Sequence, residues 1–175
     1  MATDQERTHS LAKEGQYSEA EGIRRRLLKS GSLEAAIELA AVLDRQDPGS
    51  AEASELIINS SKAIEEGDFL NHYLLYLAMC YRDIGDSDFI ARQAVGYHHL
   101  VLAAAPPDGL PAAMIEMATS YARGTVTFER NFELSEEWYR NAEACGDSSV
   151  RQDAADGLKE LARLRKKAAT IRGSF

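Results

Sequence analysis

The sequence has few cysteines and no long apolar run, and each shortage excludes a class of protein. Its 175 residues include only Cys80 and Cys145, each inside a predicted helix, so no disulfide framework is expected. The longest apolar stretch, near Leu100 to Pro107, is too short to span a bilayer. The first residues are charged, unlike a secretory signal. We therefore expect a cytoplasmic protein with no membrane partner.

Motifs for catalysis and for metal binding are also missing. The sequence contains no Gly-x-Ser-x-Gly elbow, no glycine loop that would cradle a phosphate, no His-x-x-x-His and no Cys-x-x-Cys. His98 and His99 are adjacent, so on a helix they point about 100° apart and do not converge on one ion. We expect one of them to be packed and the other solvated. The sequence predicts no catalytic residue, no metal and no cofactor.

The charge is acidic overall and changes sign near the C-terminus. The formal net charge is −8, with 13 acidic against 8 basic side chains in residues 1–66, 11 against 5 in 67–146, and 4 against 7 in 147–175. An acidic body disfavours nucleic acid as a partner. The basic residues of the last segment complement a helix C-terminus, and a nucleic-acid or membrane patch is the alternative. They are Arg163, Arg165, Lys166, Lys167 and Arg172.

Turn signals divide nearly the whole chain into pieces of helical length. Glycine and proline clusters separate segments in which apolar residues recur at helical spacing, and no segment alternates with period two. The third piece is apolar on more than one face, as expected of a helix packed between two neighbours. Ser32 is predicted to cap it, Ser148 or Ser149 to cap the last piece, and Pro111 to begin the seventh. The predicted helices span 2–14, 17–30, 33–46, 51–66, 69–83, 87–105, 111–123, 131–145 and 149–171.

A self-comparison reveals a repeat. The pattern Ala78-x-x-Tyr81-x-x-x-Gly85 recurs 40 residues later as Ala118-x-x-Tyr121-x-x-Gly124. The pair Gly96-Tyr97 has a counterpart in Trp138-Tyr139, in which the tyrosine lies 42 residues later. Such a period indicates stacked helical hairpins. The alanine would allow two helices to approach closely, and the tyrosine three positions later would pack between hairpins. Trp138 and Tyr139 are likewise predicted to serve packing.

These residues resemble a known family. The stretch from Ala118 through Val126 to Trp138-Tyr139-x-x-Ala142-x-x-x-Gly146 is similar to a Sel-1-like repeat, a branch of the tetratricopeptide superfamily. Leu11-x-x-x-Gly15-x-Tyr17-x-x-Ala20 is similar to the turn of an ordinary tetratricopeptide repeat. The resemblance implies an all-α fold, an α-α superhelix of about four antiparallel helical hairpins plus a C-terminal capping helix. It implies one domain over 1–175, with degenerate hairpins in 1–66, two Sel-1-like hairpins in 67–146 and the cap in 147–175.

The resemblance also implies that the concave face, made mainly by the first helix of each hairpin, receives a protein segment. In the fifth and seventh helices the positions off the predicted core stripe would line this face, unless a further helix covers it. The predicted partner-binding residues are His72, Leu75, Met79, Arg82, Ile115, Thr119 and Arg123. Their mixture of apolar side chains and arginine is typical of protein-binding surfaces.

The sequence thus predicts a non-catalytic protein–protein interaction module, either an adaptor or an immunity protein that covers a basic toxin or effector. The alternative is a small ligand-binding protein or enzyme in which Arg82, Arg123 and His72 grip an anion. Self-association through an exposed end of the stack is a third reading. The run from Arg24 to Arg26 is expected to pair with nearby glutamates, because three consecutive residues fan around a helix.

Overall fold

The computed structural model describes residues 4–172, and within that range the chain is helical and has no strand. The all-α fold class is confirmed. Residues 2 and 3 of the first predicted helix, and 173–175 of the predicted cap, lie outside the described residues. None of the helices in the described part of the chain has the length and apolar character needed to cross a membrane. The helices are α1 (Asp4–Lys13), α2 (Tyr17–Lys29), α3 (Leu33–Gln46), α4 (Ala51–Ala63), α5 (Phe69–Tyr81), α6 (Phe89–Ala103), α7 (Pro111–Arg123), α8 (Phe132–Cys145) and α9 (Ser148–Arg172).

Capping side chains explain why several helices begin where the sequence predicted. The Ser32 hydroxyl accepts a hydrogen bond from the Ala35 N–H at 3.1 Å and so satisfies a donor that the first turn of α3 leaves unpaired. Pro111 lies at the start of α7, as predicted. Local chemistry therefore sets these helix starts without help from distant contacts.

The cap predicted for α9 is wrong. Asp147, not Ser148 or Ser149, caps this helix: its carboxylate accepts hydrogen bonds from the N–H groups of Ser149 and Val150 at 2.9 and 3.0 Å. An ionised carboxylate satisfies the unpaired donors and also complements the positive end of the helix dipole, so it outcompetes a serine hydroxyl.

The chain divides into two compact units, the first ending at His99 and the second beginning at Leu100, inside α6. In unit 1, α1 packs on α2, α2 on α3, α3 on α4, and α5 on both α3 and α4. In unit 2, α7, α8 and α9 pack on one another. Neighbouring helices pair in sequence order, which is compatible with a helical-repeat fold. The single domain over 1–175 stays a prediction.

Helix α3 is the central element of unit 1. Seven of its fourteen residues are buried, and they surround much of the helix, as the sequence predicted. Each of the larger side chains among them, the isoleucine, the leucines and the valine, contributes roughly 1.5–3 kcal/mol when fully removed from water. The buried residues are Ala35, Ala36, Ile37, Leu39, Ala40, Val42 and Leu43.

The two halves of the predicted repeat both have a buried alanine and a glycine with positive φ after the helix. Ala78 and Ala118 are 2% and 0% exposed. Gly85 and Gly124, which follow α5 and α7, have φ angles of 122° and 78°, where glycine is favoured over residues with a Cβ. The two tyrosines differ: Tyr121 is partly buried against Phe128, but Tyr81 is 63% exposed, so its predicted burial is wrong.

The start of α6 is fixed to the end of α5 by one buried arginine. Arg92 is 7% exposed, and its guanidinium donates to the carbonyls of Met79 and Asp86 at 3.2 and 2.7 Å. It also forms an ion pair with Asp83 at 2.8 Å. Four residues after Arg92, Gly96 is buried against Met79 and Cys80. The absence of a side chain at Gly96 is what lets the two helices approach.

In unit 2, Tyr139 links all three helices. Its side chain is buried, its hydroxyl lies 3.1 Å from the Thr119 hydroxyl on α7, and its ring lies against Gly157 of α9. Trp138 is only partly buried. The packing role predicted for the Trp138-Tyr139 pair therefore falls mainly on the tyrosine.

Adding one methyl group at Gly96 should destabilise unit 1. A Cβ there would lie 2.6 Å from the Cys80 sulfur and 3.1 Å from the Met79 Cβ, whereas at Gly22, inside α2, it would meet nothing within 4 Å. Gly22→Ala should gain up to ~1 kcal/mol from helix propensity. Gly96→Ala should carry the same gain but an overpacking cost of ~1–3 kcal/mol.

Urea unfolding followed by circular dichroism measures both variants. Gly96→Ala should be the less stable of the two by at least ~1 kcal/mol, and Gly96→Ala/Cys80→Ala should recover part of the loss. Equal stabilities for Gly96→Ala and Gly22→Ala would contradict the close α5–α6 approach.

Candidate functional site

Of the four partner-binding residues predicted in the fifth helix, three are in the core. His72, Leu75 and Met79 are 2%, 0% and 4% exposed. The expectation that they line an open surface is wrong. Arg82, just beyond the end of α5, is half-buried and does reach a surface groove.

The error is one of helix rotation. The sequence assigned the core stripe to Leu74, Leu77, Ala78 and Tyr81. Ala78 is buried as predicted, but Leu74 and Leu77 are only partly buried and Tyr81 is 63% exposed. At about 100° per residue, the buried His72, Leu75 and Met79 lie on the side of the helix opposite Leu74, Leu77 and Tyr81. Because α5 is apolar on all sides, periodicity alone cannot identify its buried face.

The α7 residues of the predicted site belong to unit 2. Ile115 and Thr119 are partly buried and Arg123 is exposed, while Met114, Met117 and Ala118 form the buried stripe of this helix. The rotation predicted for α7 is therefore confirmed. Thr119 already bonds the Tyr139 hydroxyl, so of the three only Arg123 is fully displayed.

Unit 1 contains an open groove between α3 and α5, with a volume of about 250 Å³. We call it the α3–α5 groove. Its walls are apolar and cationic, and they come from α1, α2, α3 and α5 with the residue that follows α5. Its lining residues are Lys13, Arg24, Ile37, Glu38, Ala41, Val42, Arg45, Leu74, Leu77, Ala78 and Arg82.

The groove has more positive than negative charge. Four of its lining side chains, Lys13, Arg24, Arg45 and Arg82, are cationic, and only Glu38 is acidic. Arg24 and Glu38 form an ion pair at 2.7 Å. Among the described residues, no acidic side chain lies within ion-pair distance of the other three cations.

Arg24 is the buried cation of the groove. It is 3% exposed, and its Nε and Nη1 nitrogens are buried with no hydrogen-bond partner in the described part of the chain. A guanidinium has five N–H donors, and Glu38 satisfies it only at Nη2. Burying an underpaired charge is costly unless further acceptors are supplied.

Arg82 is held half-buried by weak interactions. Its Nη1 donates to the Ala41 carbonyl over a long 3.4 Å. Burial lowers the pKa of Arg82, and the nearby Arg45 and Arg24 lower it further, against the opposing effects of Asp44 and Glu38. An arginine keeps its proton, so this shift expresses mainly the free-energy cost of burying the guanidinium, to which the neighbouring cations add a smaller part.

The run Arg24-Arg25-Arg26 was recognised in the sequence, but the sequence did not show which of the three arginines lines the groove. Arg25 forms ion pairs with Glu21 at 2.8 Å and with Glu52 at 2.6 Å, which confirms for this residue the predicted pairing with nearby glutamates. Arg26 is exposed, and only Arg24 faces the groove. The position of Arg24 beside Ala20 and Ile23 on the buried side of α2 is the signal that was missed.

His72 belongs to a buried polar chain. Its Nδ1 lies 2.8 Å from Nδ1 of His99, and Nε2 of His99 lies 2.8 Å from the Ser61 hydroxyl. His99 is 3% exposed and His98 is exposed, so the expectation of one packed and one solvated histidine is confirmed. One of the two facing nitrogens must accept the hydrogen bond, so the two rings cannot both be charged in this arrangement.

Neither cysteine and no side-chain cluster offers another chemical site. Burial raises the pKa of Cys80 to about 12, which keeps it a thiol. In the described range no three histidine, cysteine or acidic side chains are close enough to hold a metal ion. We take the α3–α5 groove as the candidate site because its lining combines aliphatic side chains with four cations and one carboxylate.

No protein-family model matches this chain, and no curated protein and no solved structure matches it at a significant level.

The buried histidines should make the fold sensitive to mild acid. Burial lowers the pKa of His72 and lowers that of His99 to about 4, against an ordinary value of 6.5. Below pH 6.5 the unfolded chain therefore binds protons that the folded chain excludes, so stability is full above that pH and is lost as the pH falls toward 4. For His99 the loss between pH 7 and pH 5 should be about 2 kcal/mol.

Urea unfolding at these two pH values measures the loss. His99→Gln should be less sensitive to acid than the unmodified chain, and the exposed neighbour serves as a matched control in His98→Gln. If His99→Gln and the unmodified chain lose the same stability, the buried-histidine account is wrong.

Proposed function

We propose that the protein is a non-catalytic protein-interaction module and that the α3–α5 groove of unit 1 receives a segment of a partner protein. The observation that carries this proposal is the groove itself, in which aliphatic walls adjoin a half-buried arginine. Arginine beside apolar side chains is typical of the residues that dominate binding energy at protein interfaces.

We further propose that the helices stack as tetratricopeptide or Sel-1-like hairpins. The paired packing of neighbouring helices supports this, as do the buried alanines and positive-φ glycines at equivalent positions of the two repeats. In such a stack α1, α3 and α5 are first helices of successive hairpins, and these helices contribute most of the groove lining.

The size of the groove favours a peptide segment over a whole small molecule. Its volume of about 250 Å³ lies below the ~300–1,000 Å³ usual for small-molecule sites. One or two side chains of a partner would fit, with the rest of the partner outside. The basic toxin or effector expected from net charge would have to bind the acidic outer surface instead, because the groove is cationic.

Reversing the charge of Arg82 should strongly weaken partner binding. The experiment is affinity capture of the tagged chain from its native lysate, followed by affinity measurement with the captured protein. Arg82→Glu should weaken binding by at least ~30-fold, as loss of a central interface residue does. Arg26→Glu makes the same charge change on exposed α2 surface outside the groove and should bind normally.

Circular dichroism verifies that both variants are folded. A partner retained equally by both variants would contradict the groove as the binding site. If capture finds only the chain itself, self-association is favoured. A thermal-shift panel of phosphates, nucleotides and carboxylates should be flat, whereas a small ligand at 100 times its Kd would add ~2.7 kcal/mol to stability and favour the ligand-binding alternative.

A further inference from the structure

The charge of the α3–α5 groove is opposite to that of the whole chain. The chain has a formal net charge of −8, yet the groove lining has four cations against one carboxylate. Lysine and arginine side chains dispersed over an acidic protein would meet glutamates and aspartates on all sides. Four of the 20 lysine and arginine side chains line this groove with only one carboxylate among them, a local excess of positive charge that suits a negative group.

Within the groove the positive charge is graded from rim to floor. Lys13 and Arg45 are exposed, Arg82 is half-buried, and Arg24 is buried with one carboxylate partner. A charge interaction strengthens as water is excluded. An anionic group that entered past the rim would therefore meet its strongest attraction at Arg82, where no side-chain counter-ion within the described residues competes for it.

The aliphatic walls of the groove favour an apolar group next to the bound anion. The partly buried Leu74 and Leu77 line the groove together with the buried Ile37 and Val42. An aliphatic side chain adjacent to the anionic group would bury its surface against them. A fully polar anion such as free phosphate would leave these walls uncovered.

The acidity of the rest of the chain decides between possible anions. A polyanion such as nucleic acid, or an anionic bilayer, extends far beyond a groove of about 250 Å³ and would be repelled by the surrounding net negative charge. A single carboxylate on a short segment would meet four cations and one carboxylate, Glu38, which is already paired with Arg24. The geometry suits one acidic side chain or a chain-terminal carboxylate with an aliphatic neighbour.

We infer that the occupant of the α3–α5 groove is an acidic peptide segment of the partner protein, in which a carboxylate next to an aliphatic residue pairs with Arg82 and its neighbouring cations. This inference rests on the proposed function and adds the chemistry of the bound segment. Arg82 and Arg45 supply the charge recognition, and Leu74 and Leu77 supply the apolar recognition.

Selection of random octapeptides displayed on phage tests the inference directly. The full chain is the bait, and a Leu77→Glu variant, which adds negative charge and removes apolar wall, is used for counter-selection. The expected motif is aspartate or glutamate beside leucine, isoleucine or valine. Circular dichroism confirms that the counter-selection variant is folded, and Leu74→Glu replaces it if it is not.

The enriched peptide is then synthesised with its acidic residue intact and with that residue changed to the matching amide. Titration calorimetry should show at least tenfold weaker binding for the amide form, for Arg82→Gln and for Arg45→Gln. The matched control Arg26→Gln should bind like the unmodified chain. Raising the salt concentration from about 50 to about 500 mM should weaken binding of the acidic peptide more than that of its amide form.

The outcomes separate this inference from the proposed function. If the peptides that depend on the groove are apolar or basic, the acidic segment is contradicted and the groove remains a protein-binding site. The same holds if the amide form of the peptide binds as tightly as the acid. If the enriched peptides also bind the counter-selection variant, or if no peptide is enriched, both the acidic segment and the groove as a protein-binding site are contradicted. Equally tight binding of inorganic phosphate would overturn the peptide as occupant.

Discussion

The burial of α3 is the constraint on which unit 1 depends. This helix packs against α2, α4 and α5, and half of its residues are removed from water. A helix buried on several sides fixes the positions of its neighbours, because close-packed interiors tolerate little displacement. The same packing brings Arg24 of α2, Arg45 of α3 and Arg82 after α5 to one groove. The arrangement of the cations is thus a consequence of core packing.

Stability alone does not account for the cations in this groove. A buried ion pair replaced by apolar residues of similar volume is often neutral or more stable, and Arg24 lies beside Ala20 and Ile23 on a face where such residues fit. Its two unpaired nitrogens and the mutual repulsion with Arg82 are costs that an apolar core would avoid. Residues that cost stability while lining an open surface are characteristic of binding sites.

Much of the fold follows from local sequence, whereas the site requires tertiary information. Capping by Ser32 and the glycines after α5 and α7 set helix ends through nearest-neighbour chemistry, so the segmentation was predictable. The buried face of α5 was not, because apolar residues surround that helix and only its neighbours decide which side is covered. Arg24 was missed for a different reason: its position on the same side of α2 as Ala20 and Ile23 distinguishes it from Arg25 and Arg26, but only packing shows that this side is buried.

The side-chain Nε–H resonances of the arginines provide the most direct test of an anion-binding groove. In nitrogen-15 spectra recorded with and without the selected acidic octapeptide, the account predicts that the Arg82 resonance shifts and that its proton exchanges more slowly with water. The exposed Arg163, which pairs with Glu160 on α9, should be unchanged. An unmoved Arg82 resonance with shifts confined to unit 2 would contradict the central claim that the α3–α5 groove is the binding site.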